Sequence, residues 1–175
     1  GYVWRKYVDS TQYSWETKTG YILMRYAEIL LTYAEAKIEL NQIDASVTSA
    51  INLVRARAGQ PAVTTTSQAQ LRQIVRRERA VEFAGEGLRL YDLRRWDLVL
   101  QAMNGPVVGA AKNPADVPAI PVINSNDIPD YSNSLSKRIA TRGQIRSNKE
   151  KHKLWPLPQG ELDKNKNLNQ NPGWQ

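Results

Sequence analysis

The feature that most limits the fold is a gap of only a few residues, around Asn41 and Gln42, between two stretches of helical spacing. The first stretch, about 22–40, carries Ala27, Leu30, Leu31, Ala34 and Ile38, with Glu28, Glu35 and Glu39 on one stripe. Apolar groups cover much of its circumference, so it is expected to lie sandwiched between neighbours. The second, about 45–58, places Val47, Ala50, Ile51, Val54 and Ala58 at i, i+3, i+4, i+7 and i+11. Asp44 suits its N-cap. Arg55 and Arg57 suit its last turn, and Gly59 and Pro61 stop it. So short a connection forces an antiparallel helix pair.

The pair is similar to one tetratricopeptide-type unit, without a second copy along the chain. A third helix is expected from near Ser67 to about Ala84, opened by a capping box of Ser67 and Gln70. Gly85 and Gly87 break or kink it. A fourth, about 88–103, carries Leu90, Leu93, Trp96 and Leu100 on one side. The remainder, 104–175, holds every proline except Pro61 and no sustained period, so it reads as loop. Within it, Asn124 to Asn133 is polar and lacks the spacing of a calcium loop. Residues 1–20 are rich in Tyr and Trp and irregular. The expected fold is therefore mostly α, a helical-hairpin, tetratricopeptide-like bundle with a long loop-rich C-terminal part. One domain spans 1–175: an aromatic entry over 1–20, four helices over 21–103 and a loop-rich wrap over 104–175. A chain of this length buries roughly 70% of its unfolded surface and folds without staples.

Composition removes several chemistries. There is no Cys, hence no disulfide or thiolate site, and His152 is the only His. A His triad and a multi-His zinc centre are excluded. No run approaches 18 apolar residues. No cofactor or metal is expected, since no phosphate-cradling Gly loop, nucleophile elbow or metal-ligand spacing occurs. The formal net charge is +7, from 24 basic and 17 acidic residues. Its Arg alternate with acids, which a phosphate track would avoid, so no nucleic-acid partner is expected. The chain opens abruptly at Gly1, as a truncated protein would.

Two groups of residues could carry function. Glu78 and Glu82 fall on the apolar face of the third helix, seven and eleven residues after Leu71. They read either as an acid/base pair, as in glycoside hydrolysis, or as members of a buried ion-pair network. Arg79, Arg89, Arg94 and Arg95 lie within two turns or on the next helix. Guanidinium groups hold a carboxylate charged, the opposite of what a general acid needs, so the structural network is favoured and no enzyme is expected. The second group is Trp4, Tyr7, Tyr13 and Trp15, flanked by Asp9, Ser10, Thr11, Gln12 and Ser14. Such rings either pack on the helices or offer flat faces to sugars. Trp155 and Trp174 read as anchors for the Pro-rich tail.

Three stretches in series resemble the C-terminal region of the SusD/RagB family. They are Met24–Ala36 followed by Ala50–Gly59, then Arg77–Trp96, then Leu154–Leu162 with Asn165, Leu168 and Asn169–Trp174. The resemblance implies a mostly α-helical outer-membrane lipoprotein of Bacteroidetes, anchored by an N-terminal lipid and facing outward. It implies non-enzymatic capture of a glycan, or of a peptide, and delivery to a TonB-dependent transporter of the SusC type. It implies contact with the membrane only through that anchor, whose Cys lies outside this chain. The matching motifs are scaffold, so no binding residue carries over. The alternative is a structural or interaction domain whose ligand site lies in the missing N-terminal half.

Overall fold

The computed structural model describes residues 6–8, 20, 22–113, 115, 122–125 and 128–174. They group into two compact units: Gly1–Arg89 with Ser125–Asp127, and Leu90–Asn124 with Ile128–Gln175. The fold is mostly α and built on a helical hairpin.

In the first unit α1 (Tyr26–Glu39) packs against both α2 (Ala45–Arg57) and α3 (Gln68–Glu82). Leu31, Ala34 and Ile38 of α1 meet Val47, Ala50, Ile51 and Val54 of α2 and Leu71 and Val75 of α3, with Phe83 closing the cluster. The hairpin turn has a definite chemistry. Asn41 takes a left-handed φ of 54°, its N–H reaches the Ile38 carbonyl and Gln42 N–H reaches Lys37. That is a Schellman stop with Asn in the place usually held by Gly. Asp44 then caps α2, its Oδ1 accepting Ser46 N–H at 2.9 Å. α2 ends in the same motif, with Gly59 at φ 65° and Gln60 N–H on Arg55. Asn52 fastens the linker beyond it, exchanging two hydrogen bonds with the Val63 backbone.

Three expectations change. α1 is not sandwiched all round: among the described residues Tyr26, Ile29 and Tyr33 leave one face exposed. The Ser67–Gln70 capping box does not form. Gln70 instead accepts from the Thr65 hydroxyl, which takes the Ser67 N–H at 3.2 Å. The fourth helix is two, α4 (Arg89–Arg95) and α5 (Val99–Met103). Asp97 at φ 57° stops α4, with Leu98 N–H bonded to the Leu93 carbonyl. A non-Gly residue in this conformation carries no sequence signature as clear as Gly59.

The second unit is less loop-like than its composition suggests. Leu93, Leu98 and Val99 form its core with Trp96, Ala102 and Met103. Strand β1 (Gly105–Ala111) pairs antiparallel with β4 (Arg138–Arg146), and β2 (Val122–Ile123) with β3 (Pro129–Asp130). The β1–β4 ladder is irregular: Pro106 faces Ile145 and Val108 faces Ala140, so β1 advances two residues while β4 advances five. Bulging of this kind bends a strand and hides its period from the sequence. A short α6 (Gln159–Lys164) follows. Trp174 anchors the tail, its indole N–H donating to the Lys151 carbonyl at 2.8 Å. No helix among the described residues is long and apolar enough to cross a membrane.

Candidate binding site

The acidic residues of α3 are tied down by guanidinium groups from other parts of the chain. Arg55, in the last turn of α2, pairs with Glu78 and also donates to the Pro61 carbonyl at 2.7 Å. Glu82 receives Arg25, from the residue before α1, and Arg57 at 2.7 Å. Their side chains are only 13% and 9% exposed. The partners named by sequence proximity have other contacts. Arg79, almost fully buried, lies 3.6 Å from Glu35 and donates to the Thr32 hydroxyl. Arg94 stacks over the Trp155 ring at 3.9 Å, Arg95 pairs with Asp92 at 2.8 Å, and Arg89 is half-buried at the start of α4. Helix pairing brings α2 and the entry to α1 beside α3, so spatial neighbours outrank chain neighbours.

Beyond the end of α3 a third carboxylate, Glu86, completes the cluster. Arg25 grips it through Nε at 2.9 Å and Nη2 at 2.8 Å, and Lys6 pairs with it as well. Lys6 also donates to the Glu82 carbonyl at 2.6 Å. Burial alone would raise the Glu86 pKa, but the bonds from Arg25, Lys6 and the Tyr7 hydroxyl outweigh it and bring it to about 2. Burial and the adjacent Glu86 push the Tyr7 hydroxyl up. Arg25 and Arg79 flank the Phe83 ring at 4.9 and 5.2 Å. Every carboxylate here faces a cation of the protein itself. The arrangement ties the start of α1 and the end of α2 to α3 and commits Glu78, Glu82 and Glu86 to cations.

Of the four aromatic candidates, Tyr7 lies at this cluster and is partly exposed. Trp4, Tyr13 and Trp15 lie outside the described residues.

A concave site occurs within the second unit instead. It is a cleft of about 560 Å³, within the range of small-ligand sites. α5 supplies Gln101, the start of β1 supplies Pro106, and the segment after β3 supplies Tyr131 and Ser132. Both ends of the bent β4 reach it, through Arg138 and Arg146. The walls are fixed by internal bonds. Asp130 Oδ1 accepts Ser132 N–H at 2.8 Å, opening a 3-10 turn over Ser132–Lys137. Those bonds hold the Asp130 carboxyl below the usual carboxylate range. Buried Ser134 donates to the Tyr131 carbonyl and accepts from Arg138 Nε at 3.0 Å. Arg138 lies 4.7 Å over the Tyr131 ring. The loop composition of Asn124–Asn133 hides these residues in the sequence, where Val107-Val108 of β1 is the one short β-branched pair and β4 has only the separated Ile139, Thr141 and Ile145.

The profile of the SusD family matches residues 1–174. The chain belongs to the SusD family. Among solved structures, this SusD-family chain is similar to a SusD-like carbohydrate-binding protein from Bacteroides fragilis. Identity is 31%, the TM-score 0.64, and the match covers 84% of this chain and 28% of that one. A further SusD-like protein from Bacteroides fragilis is 29% identical, with TM-score 0.61, over 86% of this chain and 25% of that one. SusD-like protein P2 of Formosa agariphila is 40% identical over 94 residues, 47% of this chain and 18% of that protein. The chain thus spans about a quarter of the length of the solved structures it matches.

Proposed function

We propose that this chain is part of a non-catalytic glycan-binding protein of the outer bacterial surface, lipid-anchored in full, which delivers its ligand to a SusC-type TonB-dependent transporter. The observation that carries the reading is the match to a carbohydrate-binding SusD-like protein across 84% of this chain. The chemistry supports it. The acids of α3 are clamped by Arg55, Arg25 and Arg57, an arrangement suited to a scaffold and unsuited to proton transfer. Loops set on a rigid scaffold are the usual carriers of ligand contacts. Tyr7, Trp4, Tyr13 and Trp15 remain proposed as additional sugar contacts.

The test is a binding screen of the purified chain against immobilised oligosaccharides, with a peptide library alongside. Saccharide binding without peptide binding is the expected result. Peptide binding alone would replace the glycan by a peptide nutrient, and no binding to either would assign the chain a structural role.

A further inference from the structure

We infer that the cleft of the second unit is a subsite for a saccharide bearing an anionic substituent, a carboxylate or a sulfate, with Arg146 as the group that receives it. The inference rests on the glycan reading above and adds a place and a charge preference to it. Most polar groups lining the cleft are already committed. Arg138 is used by Ser134, by the Gly109 carbonyl at 3.2 Å and by the Tyr131 ring. Asp130 is used by Ser132, and Asn104 exchanges bonds with the Asn148 backbone. Arg146 is different. It lines the same cleft, and among the described residues no carboxylate pairs with it. A guanidinium fork matches a carboxylate or sulfate in two parallel bonds.

The remainder of the lining suits a sugar ring: Tyr131, Ile128 and Leu135 give apolar surface for C–H faces. The backbone of Arg146 pairs with Gly105 in the ladder.

The experiment is calorimetric titration of the full chain with three oligosaccharides of equal length: a galacturonate, a sulfated galactan and a neutral galactan. The expected result is at least tenfold tighter binding of one or both acidic ligands than of the neutral one, weakened by added salt. Which acidic ligand binds separates the carboxylate from the sulfate. Arg146→Gln, at an exposed position that leaves the fold intact by circular dichroism, is expected to erase that tenfold preference. Tyr131→Ala is expected to weaken all ligands. Equal binding of neutral and acidic ligands, or unchanged binding by both variants, overturns the cleft assignment while leaving glycan binding in place. Failure of all three ligands, together with an empty glycan screen, overturns the glycan reading and the cleft with it.

Discussion

At the scale of single residues, burial separates ion pairs that matter from those that do not. Arg79 and Glu35 have side chains only 5% and 6% exposed. Arg79→Ala would leave a buried carboxylate short of a cation, so we expect a loss of about 3–5 kcal/mol in denaturant unfolding. Lys164, paired with Glu161 at 3.7 Å in open solvent, gives the contrast: Lys164→Ala is expected to change stability by less than about 0.5 kcal/mol. Equal effects would contradict the burial assigned to Arg79. Glu86 gives a pH signature. Its pKa falls from an ordinary 4.5 to about 2 on folding. The unfolded chain therefore binds the proton first, and the stabilisation is complete above pH 4.5 and lost as pH falls towards 2. Glu86→Gln is expected to lower stability at neutral pH and to flatten acid unfolding across that window. An acid-unfolding curve superimposable on that of the parent would count against the Arg25–Glu86–Lys6 cluster.

Among the elements, the helix stops are the most local decisions and the strand pair the least. Gly59 needs only freedom of backbone: a Cβ there meets nothing within 4 Å, yet its φ is +65°. Gly59→Ala should cost about 1 kcal/mol through backbone conformation alone, read in thermal unfolding. Gly109 is the reverse case. A Cβ at this position would clash with the Ile139 carbonyl oxygen, so Gly109→Ala must push β1 and β4 apart. Amide exchange in both strands is expected to rise, with protection in α1–α3 unchanged. Protection unaltered in the ladder would show the two backbones to be farther apart than described.

On the scale of the whole molecule, the expected behaviour is capture without turnover. Prolonged incubation with poly- and oligosaccharides should leave their chain lengths unchanged by chromatography, and the appearance of shorter products would demand an acid pair that the Arg-clamped α3 does not offer. Much of this protein was legible from residue order. The hairpin of α1 and α2 follows from a 3.6-residue period, the Asp44 cap and the Gly59 stop, all of which act within a few residues. The family was legible from three motifs in series. Other features were not. Asp97 ends α4 without a glycine, and Thr65 rather than Ser67 serves the start of α3. Glu78 and Glu82 draw their cations from Arg55, Arg57 and Arg25, not from the nearer Arg94 and Arg95. The cleft gathers Gln101, Tyr131 and Arg146 from separate stretches. The division has one physical cause. Periods, caps and stops depend on forces between residues close along the chain, and the sequence by itself determined them. Ion-pair partners and a binding cleft depend on distances in space, and only the packing of helices and the bent, bulged ladder decided those.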